Sequence, residues 1–207
     1  MRNTGQTPLG FYDRIVPVYD LFAAYNARAY RKIVRRLEIE PDKSVLEVGC
    51  GTGNLTAVLA RMTQQVVSVD FAPKMLARAA KKLADRGLTN VTLRRDNAFD
   101  LSPDAYGTHH YVFAAFLLHV LPGVDRPLLL ATLAGLATER VVVIDYAPGR
   151  YRFRYAFVEW LERSHYKDFL RADLTAEAAV AGLELVRYFE QGDFGVWEFT
   201  PVSGKSG

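Results

Sequence analysis

The stretch whose reading decides the fold is Ser44-Val-Leu-Glu47-Val-Gly49-Cys-Gly51-Thr-Gly53-Asn54. A short, mostly apolar strand pattern runs straight into three glycines at alternate positions, and a helical pattern over Asn54–Met62 follows. Glycine tolerates positive φ and lets a ligand touch backbone that a Cβ would shield. The helix start behind such a loop presents N–H groups without intrahelical partners. A dinucleotide fingerprint asks for a small residue where Asn54 stands, and no Gly-x-x-x-x-Gly-Lys-Ser/Thr run occurs. The spacing therefore argues against both a nicotinamide dinucleotide and a Walker-type phosphate. Glu47, two residues ahead of the first glycine, favours a cationic ligand over a pyrophosphate.

Working outward, apolar runs alternate with helical patterns between Lys43 and Asp145, the signature of a parallel α/β sheet. Strands are expected at Ser44–Val48, Gln65–Val69, Val91–Arg94, Tyr111–Phe116 and Arg140–Ile144, and their Val, Leu and Ile content suits burial on both faces. Helices are expected at Asn54–Met62, Pro73–Arg86 and Pro127–Thr138. Beyond Asp145 come an aromatic stretch, Tyr151–Phe169, and a helix near Thr175–Ala181. The runs Leu183–Phe189 and Phe194–Val202 are joined by a Gln191-Gly192-Asp193 turn, which predicts an antiparallel hairpin. Two helical stretches, about Tyr12–Tyr25 and Ala27–Leu37, precede the sheet. The expected fold is α/β: a Rossmann-like, doubly wound, seven-stranded, mostly parallel sheet with a C-terminal hairpin and N-terminal helices. Within a single domain, 1–40 reads as a helical cap, 41–146 as the ligand-binding core, 147–175 as an aromatic lid and 176–207 as the C-terminal helix and hairpin.

Two strand ends add to the glycine loop. Asp70 ends the second strand, 17 residues beyond Gly53, where a carboxylate at the carboxyl edge of a sheet accepts from vicinal ribose hydroxyls. Phe71 beside it suits an adenine face. Val91-Thr-Leu-Arg-Arg-Asp96-Asn97-Ala98 ends the next strand with two polar side chains and a small one, suited to an adenine amino group.

Composition bounds the rest. The 207 residues fit one domain, and half of them are hydrophobic. A formal charge of +3 is too slight to imply a nucleic-acid binder. The single cysteine, Cys50, excludes an internal disulfide and a cysteine-cluster zinc site, and points to a reducing compartment. Adjacent His109 and His110 make a poor metal pair on a strand, and no metal is expected. The longest near-continuous apolar stretch, Tyr111 to Leu121, is 11 residues, against about 20 for a membrane-spanning helix. Met1–Gly10 lacks an export signal, so the expected location is cytoplasmic.

Together these residues resemble the class I S-adenosylmethionine-dependent methyltransferases over about Leu9 to Tyr146. VLEVGCGTGNLT is similar to the family's first motif and VVSVDFAPKML to its second. RRDNAFDL aligns with a pattern usually read Gly-Asp-Ala, placing Asp96 at the Gly and Asn97 at the Asp. HHYVFAAFLLHVLP departs further, with His110 where Asp is usual and Val120 in place of a second His. FYDRIVPVYDLF resembles the start of the ubiquinone and menaquinone biosynthesis C-methyltransferases and of small phospholipid N-methyltransferases. The resemblance implies S-adenosyl-L-methionine as cofactor and S-adenosyl-L-homocysteine as product. The implied cofactor contacts are Glu47, Gly49, Gly51, Thr52, Gly53, Asp70, Phe71, Met75, Asp96, Asn97, Ala98 and Phe116. It also implies that Tyr12 and Tyr19 lie near the transferred methyl group, with Phe116 and His119 on the pocket floor.

Methyl transfer is a direct displacement that needs alignment in a dry site rather than a covalent nucleophile or a metal. His119 or His165 is the natural base where the acceptor must lose a proton. Aromatic and basic residues between Arg150 and Tyr166 favour a small, lipophilic acceptor, a phospholipid amine or a quinol-like ring. Arg28, Arg31, Lys32, Arg35 and Arg36, beside Tyr25, Ile33 and Leu37, suit peripheral contact with an anionic membrane. Nucleic acid is not the expected partner: Ala114-Ala115-Phe116-Leu117 stands where amino-methylating enzymes carry Asn/Asp-Pro-Pro-aromatic. Three rivals stand beside this reading: a non-catalytic binder of the same sulfur ligands, a methyltransferase for a polar metabolite or macromolecule, and a nicotinamide-dependent reductase.

Overall fold

A computed structural model describes residues 27–149, 151 and 164–202. Helix α1, residues 27–37, leads into strand β1 (Ser44–Val48), and the short helix α2 (Thr56–Leu59) follows the glycine loop. Then come β2 (Gln65–Asp70), α3 (Pro73–Ala84), β3 (Val91–Arg95), α4 (Pro103–Tyr106) and β4 (His109–Ala115). A 3₁₀ turn at Leu118–Val120 precedes α5 (Arg126–Leu136) and β5 (Ala137–Tyr146). After the aromatic segment stand α6 (Tyr166–Phe169), α7 (Leu174–Val180), β6 (Leu183–Gln191) and β7 (Phe194–Pro201).

The seven strands form one sheet in the order β3-β2-β1-β4-β5-β7-β6. The first five run parallel, and β7 lies antiparallel between β5 and β6, so the expected hairpin completes the sheet. The strand order reverses between β1 and β4, where sheets of this kind open a crevice at the carboxyl ends of their strands. Register makes that edge level: Val48 pairs with Val69 on one side and Ala114 on the other, and Ala114 pairs with Val143. The glycine loop, Asp70, Phe116 and Asp145 consequently emerge side by side.

Alternate side chains of the central strands feed two apolar layers. Leu46, Val48, Val112 and Ala114 pack beneath α5 with Leu129, Leu133, Phe169 and Trp197. Val45, Phe113 and Ile144 pack on the other face with Tyr30, Ile33, Val34 and Leu37 of α1. The basic residues of α1, from Arg28 to Arg36, lie on its exposed side. No helix among the described residues is long and apolar enough to cross a membrane.

Several boundaries differ from the sequence expectation for local reasons. The helix expected over Asn54–Met62 is α-helical only at Thr56–Leu59. It tightens at its end through i→i+3 bonds such as Met62 N to Leu59 O, and the Asn90 side chain donates to the Ala60 and Thr63 carbonyls. The helix expected at Pro73–Arg86 stops at Ala84. The helix expected at Pro127–Thr138 starts at Arg126 and stops at Leu136, because Ala137 is already extended and pairs with His109. Strand β4 begins at His109 rather than Tyr111 and ends at Ala115 rather than Phe116. Strand β5 spans ten residues, well beyond the expected Arg140–Ile144. The helix near Thr175 is capped one residue earlier than expected, by Asp173 accepting from the Thr175 and Ala176 amides. The expected helix at Tyr12–Tyr25 lies outside the described residues.

Candidate functional site

The three glycines after β1 all adopt positive φ, at +76°, +52° and +74° for Gly49, Gly51 and Gly53, and their surroundings differ. A Cβ on Gly49 would sit 3.1 Å from Leu117 of the segment after β4. A Cβ on Gly53 would sit 3.0 Å from the Ala79 Cβ on α3, so Gly53 permits the helix–loop approach that a dinucleotide fingerprint assigns to its third glycine. Over Gly51 nothing lies within 4 Å of that position. The outer two glycines thus serve packing, and the middle one leaves backbone open at the crevice.

Asp70 secures that open turn. Its Oδ2 accepts from the Gly51 amide at 2.7 Å and its Oδ1 from the Ala72 amide at 2.9 Å. Burial pushes the carboxyl up from its ordinary range, and those backbone donors pull it partly back. Each carboxylate oxygen has a second lone pair for a further donor. Behind the loop, Lys82 of α3 donates to Thr52 Oγ1 at 3.0 Å and to Asn54 Oδ1 at 2.7 Å.

Glu47 and Met75 occupy positions that the sequence reading did not anticipate. Glu47 is 1% exposed, and its Oε2 accepts from the hydroxyls of Thr56 at 2.5 Å and Ser68 at 3.2 Å, tying β1, α2 and β2 together underneath the loop. Burial raises its pKa to about 7, against the lowering effect of those two hydroxyls. Met75 is buried on the inner side of α3 with Ala79 and Leu83. The Thr52 hydroxyl turns inward to Asn54 and Lys82. The Cys50 thiol, also buried, is held well above its usual range by desolvation.

At the next strand end, Asp96 Oδ2 accepts from the Tyr106 hydroxyl at 2.9 Å and Oδ1 from the Asn97 amide at 2.8 Å. Asn97 Oδ1 accepts from the Phe99 amide at 3.2 Å. Asp96, Asn97, Ala98 and Phe71 are all partly exposed along this edge. Asp96 is thus largely spent on shaping the turn, which leaves Asn97 and Ala98 the better placed for a ligand.

The opposite wall is aromatic. Phe116 holds φ +53°, a strained value for a side chain of its size, and its amide donates to the Ile144 carbonyl. Its ring meets Phe194 at 4.9 Å, Tyr146 at 5.3 Å, His119 at 6.1 Å and Tyr30 at 6.4 Å, each edge to face. Sequence reasoning missed Tyr30, because a tyrosine within an apolar helix stripe looks like ordinary packing. Burial raises its hydroxyl pKa, and the charges of Glu47 and Asp145 add to the shift. His119 and Phe116, both expected on the pocket floor, are in ring contact in the structure. His165 is exposed at the start of α6. Tyr12 and Tyr19 lie outside the described residues.

The chain overlays the DhpI–SAH complex structure with a TM-score of 0.73 at 21% identity, covering 96% of this chain and 97% of that one. Residues 45–140 match the methyltransferase domain family. This stretch is similar to the methyltransferase domain, and the chain shares its fold with the methyltransferase structures. The methyltransferase fold extends to the magnesium protoporphyrin IX methyltransferase ChlM of Synechocystis PCC 6803 with bound SAH, at a TM-score of 0.66 and 18% identity, covering 84% of this chain and 81% of that one. In sequence, the chain is 32% identical over 119 residues to the demethylmenaquinone methyltransferase of Halalkalibacterium halodurans, covering 54% of this chain and 48% of that protein. It is 34% identical over 85 residues to the 23S rRNA (uracil(1939)-C(5))-methyltransferase RlmD of Shewanella sediminis, covering 41% of this chain and 19% of that protein. The chain thus spans less than half the length of these two curated relatives.

Proposed function

We propose that this protein transfers a methyl group from S-adenosyl-L-methionine to a small, lipophilic acceptor, a quinol-like ring or a phospholipid amine. The observation that carries the cofactor assignment is the pairing of the Gly51 amide with Asp70 beneath open space at the strand-order reversal. A carboxylate already oriented by backbone donors is suited to accept from the two ribose hydroxyls, and the bare turn at Gly51 suits the amino-acid end of the molecule. Asn97, Ala98 and Phe71 would line the adenine side. The Asp70 carboxylate at this edge complements a ligand that carries positive charge. When bound, the cofactor supplies a methyl group on a sulfonium that leaves as a neutral thioether.

The chain's own contribution would be alignment and exclusion of water. Phe116, Tyr146, Tyr166 and Phe169 give the acceptor side an apolar wall, which supports a lipophilic acceptor. Similarity to the demethylmenaquinone methyltransferase supports the same class. Residues 1–40 would act as a cap, 147–175 as the acceptor-side lid and 176–207 as the closing hairpin, with Tyr12, Tyr19, His119 and His165 as candidates near the methyl group. The exposed basic side of α1 supports peripheral contact with an anionic membrane surface. Calorimetric titration with S-adenosylmethionine, S-adenosylhomocysteine and NADH tests the cofactor. Micromolar binding of the two sulfur ligands alone is expected, and binding of NADH alone would sink the assignment.

A further inference from the structure

We propose that the Tyr30 hydroxyl is a cofactor-binding group that donates a hydrogen bond to the carboxylate at the cofactor's amino-acid end. The inference rests on the methyltransferase reading above. Tyr30 lies in the first turn of α1 and is 7% exposed. Among the described residues its hydroxyl has no hydrogen-bond partner. The one side-chain nitrogen or oxygen among them that is both fully enclosed and unpaired is Nδ1 of His109. The Tyr30 hydroxyl is therefore not enclosed: a buried ring ends in a polar tip that looks onto open space.

Two features place that opening. Residues 38–43 turn the chain from α1 into β1, so the start of the helix lies toward the carboxyl end of that strand. The Tyr30 ring also meets Phe116 edge to face at 6.4 Å, and Phe116 follows directly on the last residue of β4. The same apolar layer contains Leu55, which precedes α2 at the end of the glycine loop. Tyr30 thus stands at the junction of the glycine loop and the aromatic wall, on the edge where the strand order reverses.

The chemistry of the neighbours decides what the hydroxyl binds. Desolvation pushes the phenol pKa up, and the charges of Glu47 and Asp145 push it further, so the group keeps its proton and has it to give. Asp70, at the same edge, offers only acceptor oxygens, which match an ammonium and repel a carboxylate. Lys82 is committed to Thr52 and Asn54 behind the loop. An amino-acid group needs both kinds of partner, and Tyr30 brings the donor that the carboxyls cannot. The bare turn at Gly51, with nothing within 4 Å of a Cβ position, leaves room for that group.

The ring is held for this task. It packs in one layer with Ile33, Val34 and Phe116, and Phe116 is itself fixed by its amide on the Ile144 carbonyl. A donor already ordered before the ligand arrives loses little rotamer freedom on binding. No bond is made or broken at Tyr30, whose part is to bind and to orient.

The test compares the full-length wild type with Tyr30→Phe, which removes the hydroxyl and keeps the ring. Calorimetry uses three probes: S-adenosylhomocysteine, its decarboxylated analogue, and 5′-methylthioadenosine, which lacks the whole amino-acid end. The melting temperature should not change, because the hydroxyl has no protein partner to lose. A clear fall would mean that it is paired within the fold, and would overturn the proposal. Affinity for S-adenosylhomocysteine should drop about 10-fold in Tyr30→Phe, as for a lost hydrogen bond to a charged group, while the other two probes bind as they do to the wild type. Unchanged affinity for S-adenosylhomocysteine, an equal loss for all three probes, or a loss shared by the decarboxylated analogue would each overturn the assignment. Those outcomes leave the methyltransferase reading standing, whereas a wild type that binds none of the three refutes that reading itself.

Discussion

The Gly51 amide donates to Oδ2 of Asp70 across 19 positions of sequence, so the second strand's last side chain sets the shape of the first strand's loop. Asp70→Ala should therefore cost affinity twice, through the lost ribose acceptor and through a loosened Gly51 turn. S-adenosylhomocysteine binding is expected to weaken by about 1–3 kcal/mol, the range for leaving such partners unpaired. Asp70→Asn, which keeps one carbonyl oxygen, should fall between the variant and the wild type. Calorimetry on proteins with matched melting curves reads both, and equal affinity across the series would remove Asp70 from the site.

The glycines separate folding from binding. Gly53→Ala places a Cβ 3.0 Å from the Ala79 Cβ at φ +74°, and is expected to destabilise the protein by about 2–3 kcal/mol. Gly51→Ala meets no atom and bears only the backbone cost, about 1 kcal/mol, yet it should abolish measurable cofactor binding by filling the open turn. Thermal melts and calorimetry on the two proteins should rank them in opposite orders.

Glu47 gives a pH signature. Its folded pKa of about 7 lies above the ordinary 4.5, so the fold retains a proton that the unfolded chain has lost. Below about 4.5 both states are protonated and the group costs nothing. As pH rises through that window stability falls, and above about 7 the full cost, about 3 kcal/mol, is reached. Glu47→Gln keeps an acceptor for Thr56 and Ser68 without the charge. It should match the wild type near pH 4 and melt several degrees higher at pH 8; equal melting at pH 8 would contradict the burial argument.

Gly195 pairs with Asp145 across β5 and β7, and a Cβ there would lie 2.6 Å from the Trp197 indole. Trp197 is buried between Phe169 and Tyr188 and cannot swing aside. Gly195→Ala should cost about 1–3 kcal/mol, read in urea melts. A neutral substitution would mean that the indole repacks.

The glycine-loop half of the candidate site was legible because its signals are local. Buried parallel strands leave near-continuous Val and Leu runs, and a glycine loop followed by an acid at the next strand's end is a spacing that a linear reading detects. Ser44–Val48 appears with its expected bounds for that reason. The aromatic wall beyond β4 and β5 depends on long-range contact. Nothing near Asp145 in sequence announces that its carboxylate collects the Leu118 and His119 amides. Arg126 reads as a solvated charge at a helix start, yet it is 2% exposed, bound to Glu177 at 2.9 Å and Asp168 at 2.8 Å, and so holds α5 against α6 and α7. Glu47 misleads in the other direction, since a carboxylate ahead of a glycine loop looks like a ligand contact until its neighbours Thr56 and Ser68 are seen.

The Tyr146 and Tyr166 rings, 4.7 Å apart, mark where the chain leaves β5 and where it enters α6, and the Gly149 amide donating to the Leu170 carbonyl doubles that fastening. A segment fastened at both ends tolerates a change of length: doubling it adds only about 0.6 kcal/mol of closure entropy. Insertions and exchanges in this one segment should then leave the glycine loop and Asp70 untouched. Grafting the corresponding segment from a relative, joined at these two tyrosines, should therefore leave the rest of the fold intact.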